Sequence, residues 1–281
     1  MSRRIVLAYS GDLETAVDIP SLADLHQAEV ITLTLDLGAG RDLEEVRDRA
    51  LTAGAARAHV IDAREEFVRD FVVPSLQAGA LLDGRDPMAA ALARPLVARK
   101  LAEVAAIEHA HDAIDRARMD ENLWGRQGER YLITKSPADA PGTPAYVEIA
   151  FERGIPAAVN GVPMAMTELI DSLATIAGHH GIGRIPSAGE CREAPAAVVL
   201  HAAQAALDQE MLPPSVLRAK LERVAAYTAA IANGQWFSAE REAMDALNAR
   251  VQADVTGSVR ITLFKGALQT SVAAGPAVPR T

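Results

Sequence analysis

Residues 4–16 read Arg4-Ile5-Val6-Leu7-Ala8-Tyr9-Ser10-Gly11-Asp12-Leu13-Glu14-Thr15-Ala16. The β-branched pair Ile5 and Val6, followed by Leu7, Ala8 and Tyr9, predicts a buried strand. Ser10-Gly11 then predicts a tight turn, and the residues after it can open a helix. A strand, a turn of small residues and a helix N-terminus make an anion site. Unpaired backbone N–H groups and the positive end of the helix dipole converge there. Pro20 falls inside the expected helix Thr15–His26, where its missing N–H predicts a kink or an early stop.

The same alternation continues outward from this stretch. Glu29–Leu35 reads as a strand, Asp42–Ala53 as an amphipathic helix, and Ala58–Ile61 as a short strand. Glu65–Gln77 follows as a helix with Phe67, Phe71 and Val72 on one side, and Met88–Ala110 as a longer one. This β-α-β order predicts an α/β fold: a parallel sheet covered by helices, with ligands at the carboxyl ends of its strands. Residues 116–143 are rich in charge, glycine and proline and read as a connection. Beyond them, hairpins are expected around Gly154 and around Lys265-Gly266, with another turn at Asn160-Gly161. Between the hairpins lie four helices, Met166–Ala177, Pro195–Gln209, Ser215–Ile231 and Ser238–Val251. The tail 273–281 is small residues and proline, expected to be loose. The reading is a nucleotide-type domain over 1–115, a connection over 116–143, and a helix-rich α+β domain over 144–281.

The 281 residues are 49% hydrophobic, enough for one large core or two moderate ones, and carry a formal charge of −9. That charge argues against a general nucleic-acid or anionic-membrane surface. A single cysteine, Cys191, permits no internal disulfide, and no apolar run reaches the roughly twenty residues of a membrane span. With Met-Ser-Arg-Arg leading straight into a strand, no secretory leader is expected, and a cytoplasmic location is.

Residues 8–16 resemble the phosphate loop of the ATP-pyrophosphatase (HUP) superfamily, in the form Ala-Tyr-Ser-Gly-Gly-Leu-Asp-Thr-Ser found in argininosuccinate synthases. Thr34-Leu35-Asp36-Leu37-Gly38-Ala39-Gly40 resembles that family's turn on the adenine and ribose side, with Leu35 in place of a small residue. Similar segments recur in order: Glu65–Phe71, Ala93–Ala98, Met119–Arg126, Pro144–Glu148, Gly178–Arg184, Glu193–Ala197, Trp236–Ser238, Val255–Gly257 and Leu263–Gly266. The resemblance implies a truncated HUP-like nucleotide domain that takes ATP or AMP with magnesium through Ala8, Tyr9, Ser10, Gly11, Asp12, Glu14, Thr15 and Leu35. It also implies the family reaction, in which the citrulline ureido oxygen takes AMP from ATP with loss of pyrophosphate, and the aspartate amine then displaces AMP to give argininosuccinate.

Departures from the family pattern bear on that reaction. Asp12 stands for glycine, Glu14 for aspartate and Ala16 for serine. A carboxylate about 4 Å from a phosphate charge repels it by on the order of 4 kcal/mol at an effective dielectric near 20. The helix terminus contributes up to ~2 kcal/mol in the other direction. Asp12 could cap the helix and plug the loop, bridge a metal to the nucleotide, or point away. Asp86 and Ala91 occupy positions where the family has a citrulline-binding Tyr and Ser, and Arg118 and Arg192 replace a further Ser and Tyr. Substrate-binding candidates are therefore Arg94, Asn122, Arg118 and Arg192; no catalytic residue or metal ligand is assigned. After Asp112–Asp115 the chain passes almost directly to Met119-Asp120-Glu121-Asn122, without the family's intervening segment or the strand it carries. The resemblance also implies a C-terminal assembly extension, not found in this sequence.

Among the seven histidines, His179-His180 reads as part of a glycine-rich structural turn rather than a metal pair, and His109 and His111 as solvent-facing. Ser10 lacks the Gly-x-Ser-x-Gly surround of a hydrolase elbow. Two readings follow. One is an adenylating C–N ligase of this lineage acting on another small molecule in a specialised pathway, as a homo-oligomer. The other is a non-catalytic paralogue that assembles with a related synthase subunit.

Overall fold

The computed structural model describes residues 3–187 and 189–273, with the side chains of residues 13, 14 and 273 excepted. The tail expected to be loose lies outside the described residues from 274 onward. The chain divides into two compact units, Met1–Phe67 with Ala90–Asn122, and Val68–Ala89 with Leu123–Thr281.

In the first unit, four strands form a parallel sheet: β1 (Arg3–Ala8), β2 (Ala28–Asp36), β3 (Arg57–Asp62) and β4 (Asp112–Asp115), in the order β3-β2-β1-β4. Strand β1 is central, in register with β2 from Arg3↔Ala28 to Ala8↔Leu33 and with β4 from Ile5↔Asp112 to Ala8↔Asp115. The helices are α1 (Leu13–Ala16), α2 (Asp18–His26), α3 (Leu43–Thr52), α4 (Arg64–Phe67) and α6 (Ala89–Ile107), the last beginning at the junction of the units. Alternation along β1 sends Leu7 and Tyr9 into a core with Ile19, Leu22, Val46 and Ala50 of α2 and α3. Val6 and Ala8 enter a second core with Val97, Leu101 and Val104 of α6. Ile5, Val6 and Leu7 are fully buried, each contributing roughly 1.5–3 kcal/mol.

The expected helix Thr15–His26 is two helices. The chain breaks at Val17, and Pro20 sits in the first turn of α2, where it has no N–H to offer the Ala16 carbonyl. The expected helix Glu65–Gln77 is likewise divided, into α4, a π turn at Val68–Val72, and α5 (Val73–Ala78). Pro74 is the second residue of α5 and has no N–H for the preceding turn, which is the π turn. Phe67, Phe71 and Val72 are buried as the periodicity predicts.

Across the amino ends of the strands, Glu108 is buried against Arg57 (2.8 Å) and His59 (2.8 Å), with Arg4 at 3.9 Å. At the other edge, β4 is only four residues long, mostly exposed and bracketed by Asp112 and Asp115. Charge and shortness on an edge strand discourage pairing with a second chain.

The second unit contains a five-stranded antiparallel sheet built from β7 (Ala145–Glu152), β8 (Ile155–Val159), β9 (Val162–Pro163), β12 (Gly257–Phe264) and β13 (Ala267–Ala273). Its order is β13-β12-β7-β8-β9, with turns at Gly154, Asn160-Gly161 and Lys265-Gly266. The remaining short strands are β5 (Glu121–Asn122, at the end of the first unit), β6 (Gly125–Gly128), β10 (Arg184–Ile185) and β11 (Cys191–Glu193). β6 pairs with β11, and β11 with β10. Four long helices complete the unit: α7 (Met166–His179), α8 (Pro195–Met211), α9 (Pro214–Ala232) and α10 (Ala239–Gln252). Among the described residues, no helix is long and apolar enough to cross a membrane.

Glu193 ties this unit together. Its carboxylate has no exposure and accepts from the N–H groups of Leu132 (2.8 Å), Ile133 (3.1 Å) and Thr134 (2.8 Å), from the Thr134 hydroxyl (2.6 Å), and from Arg126 (2.9 Å). Burial alone would raise its pKa, but these donors outweigh burial and hold it below the ordinary value. Glu108 follows the same logic: burial raises, His59 and Arg57 lower, and the net shift is downward. For both acids the folded-state pKa lies under the unfolded 4.5, so their stabilisation is complete above that pH and lost as the pH falls through the folded values. Urea unfolding at pH 7 should show Glu193→Gln weaker by about 2–4 kcal/mol. The deficit should shrink below pH 4.5, where the wild-type carboxylate also begins to protonate.

Candidate functional site

Strand order β3-β2-β1-β4 places the topological switch point between β1 and β4, since the chain leaves β1 toward β2 and returns on its other side. In open α/β sheets the ligand crevice lies at such a point, beyond the carboxyl ends of the strands. A cleft open to solvent lies there within the first unit. The β1 end lines it through Ala8, Tyr9 and Ser10, and the segment after β4 through Ala117, Arg118 and Met119. From β2 and its following turn come Leu35, Asp36, Ala39 and Arg41.

Backbone pairing holds the loop in place. The Tyr9 N–H donates to the Leu33 carbonyl (2.8 Å), Thr34 Oγ1 donates to the Tyr9 carbonyl (3.0 Å), and the Arg116 N–H donates to the Ala8 carbonyl (3.3 Å). Gly11 turns the chain with φ +88°, and a Cβ there would lie 2.8 Å from Val46 Cγ2. Only glycine meets both conditions without strain.

Asp12 stands at the N-cap position of α1, but its side chain makes no capping bond. The expectation that it caps the helix is therefore corrected: Oδ2 accepts from the Ser10 hydroxyl at 2.9 Å. Thr15 Oγ1 donates to the Asp12 carbonyl (3.0 Å) and lies 3.3 Å from Ser10 Oγ. The carboxylate is thus held on the Ser10 side of the turn by a local hydroxyl.

Two arginines brace the loop through its carbonyls. Arg41 donates to the Ser10 carbonyl and Arg49 to the Gly11 carbonyl, with Arg49 also paired to Glu45. Sequence reading missed both. Arg41 follows the Gly38-Ala39-Gly40 turn directly, which was the available signal, whereas Arg49 reaches back 38 residues from the outside of a helix. Burial raises the Tyr9 pKa, with Arg49 and Arg41 opposing it and Asp12 adding to it. The Tyr9 hydroxyl is buried without a hydrogen-bond partner among the described residues.

The remaining candidates are scattered. Leu35 and Arg118 both line the cleft. Arg94 is exposed on α6 away from the cleft lining, and Asn122 is buried in β5. The side chain of Glu14 lies outside the described residues. Arg192 belongs to the second unit, where it pairs with Asp86 (2.5 Å) and Glu190 (3.6 Å). The Met88 N–H donates to the other oxygen of Asp86 (2.8 Å).

The glycine-rich turn Gly178–Arg184 acts structurally. A Cβ at Gly178 would collide with the Ile133 carbonyl, and Arg184 donates to Thr134 through Nε (3.0 Å) and Nη2 (2.7 Å) while stacking on Tyr131. Among the described residues, no group of three or more His, Cys, Asp and Glu side chains is placed to hold a metal.

Family models place this architecture. The arginosuccinate synthase N-terminal HUP domain matches residues 4–116 and the arginosuccinate synthase C-terminal domain matches residues 108–275. The chain belongs to the argininosuccinate synthase family. Similar relatives are the argininosuccinate synthases of Rubrobacter xylanophilus (35% identical, 99% of this chain and 86% of that protein) and Symbiobacterium thermophilum (34%, 94% and 86%). The alignment with the Rubrobacter protein runs over 357 positions, more than the 281 residues of this chain, so that relative carries internal residues missing here.

The loop geometry makes Gly11 the sensitive position. Gly11→Ala forces a β-carbon into the left-handed region and against buried Val46, at about 1–3 kcal/mol. Thermal and urea unfolding should register that loss, and an unchanged midpoint would contradict the loop conformation described.

Proposed function

We propose that this family member keeps a nucleotide cleft in residues 1–115 and couples it to a substrate other than the citrulline and aspartate pair. Its second domain, residues 144–281, is expected to follow the 116–143 connection. The reading is an adenylating C–N ligase: an acceptor oxygen attacks the α-phosphorus of ATP, pyrophosphate leaves, and an amine then displaces AMP. In this chain Ser10, Gly11 and Thr15 would face the phosphates and the Leu35 wall the base. Magnesium would enter with ATP, and Asp12, on the loop itself, would share it. The protein would work on a small molecule, as a homo-oligomer in the cytoplasm.

One observation carries this reading. Asp86 and Arg192 occupy positions where the family resemblance expects citrulline-binding tyrosines, and here they bind each other. A carboxylate–guanidinium pair satisfies its own charges and offers a ureido amino acid little in exchange for separating them. The absent internal segment, which the resemblance associates with aspartate contacts, supports the same conclusion.

Calorimetric titration with AMP and ATP–magnesium, joined to a pyrophosphate-release assay, tests the proposal. Nucleotide should bind, and citrulline plus aspartate should release no pyrophosphate above the rate with ATP alone. Turnover of that pair would refute the proposal. Failure of every adenine nucleotide to bind would favour the non-catalytic partner reading, which a stable complex with a full-length synthase on co-expression would then support.

A further inference from the structure

Several first-unit cations are committed to acids. Arg4 contacts Glu29, Arg49 contacts Glu45, Arg57 contacts Glu108, Arg64 contacts Asp62, and Arg99 contacts Glu66. Arg41 differs from these. It is half-buried, lines the cleft, and has no carboxylate partner among the described residues. It donates to the Ser10 carbonyl, which takes one of the five N–H donors of a guanidinium. A planar fork with free donors, anchored to the loop and facing a cleft, suits a phosphate oxygen pair.

Position along the cleft decides which phosphate. The β2 side that carries Arg41 also carries Leu35 and Ala39, the wall assigned above to the base. Asp12 lies beyond Ser10, where its carboxylate takes the Ser10 hydroxyl. Arg41 lines the cleft with Leu35 and Ala39 and Asp12 does not, so a nucleotide laid on the Leu35 wall meets the guanidinium before the carboxylate. We infer that Arg41 is the phosphate-binding residue of this cleft and grips the phosphoryl group attached directly to the nucleoside. This rests on the nucleotide reading proposed above and adds to it a residue outside the phosphate loop itself. The assignment also explains how a loop bearing Asp12 can still accept an anion: the charge next to the nucleoside is met by Arg41, whatever the state of the outer end.

Binding of adenosine, AMP and ATP–magnesium to the whole protein at about 0.15 M salt separates the possibilities. Wild-type protein should bind AMP at least about tenfold more tightly than adenosine. Arg41→Gln should close that gap and weaken ATP by the same factor, leaving adenosine unchanged, while Arg41→Lys restores part of the AMP affinity. Circular dichroism melts of both variants check folding, and the unchanged adenosine affinity serves as an internal control. Equal affinity for adenosine and AMP in the wild type would overturn the assignment while leaving a nucleoside cleft in place. A variant that loses ATP but keeps AMP would also overturn it, since Arg41 would then meet only the outer phosphates. Absence of binding by all three ligands would remove the underlying nucleotide reading as well.

Discussion

Strand β1 has neighbours on both sides and helices over both faces, and the position of the loop follows from that confinement. Parallel strands buried on two faces tolerate no slip, because a one-residue shift would send Leu7 and Tyr9 to the face built for Val6 and Ala8. With the register fixed by six residue pairs to β2, the chain must leave the sheet at Tyr9. There the Leu33 carbonyl and the Thr34 hydroxyl hold the backbone on the β2 side. The turn at Gly11 is then forced close to Val46, which explains why a residue without a Cβ stands at that point. Placement of the cleft is thus a packing consequence, set before any ligand is considered.

Electrostatics at the loop are a balance of a few groups. An isolated Asp12 carboxylate would oppose a phosphate by on the order of 4 kcal/mol at 4 Å, more than a helix terminus returns. The carboxylate is not isolated: Arg41 and Arg49 both hold loop carbonyls. One guanidinium at a comparable distance cancels the repulsion, with the opposite sign and the same order of size. Arg49 shares its charge with Glu45, so Arg41 is the larger contributor on the cleft side. The second unit handles charge differently. Glu193 is enclosed by backbone N–H groups and Arg126, and Asp86 is joined to Arg192, so these acids organise structure around themselves.

Much of the fold was legible because hydrophobic period and turn chemistry agreed. The first three strands, the long helices and both hairpins announce themselves through alternation, through apolar faces and through glycine at Gly154 and Gly266. What escaped reading depends on distant partners. β4 is four residues with aspartate at each end, a strand only because β1 has an open side for it. β6 and β11 are brief segments that pair across more than sixty residues, and the π turn at Val68–Val72 carries no composition of its own. At the site, Ser10 and Gly11 were readable from local pattern. The engagement of Asp12 by Ser10, and the support from Arg41 and Arg49, are settled by side-chain reach, which spacing in a sequence does not encode.

The central claim is that a nucleotide sits at the carboxyl end of β1, between the Ser10 turn and the segment after β4. Hydrogen exchange with and without AMP measures this directly, peptide by peptide. The account predicts slowed exchange in peptides covering residues 8–16, 33–43 and 116–121, with the five-stranded sheet of the second unit unchanged. Slowing elsewhere with none at residues 8–16, or no change anywhere at saturating nucleotide, would contradict it.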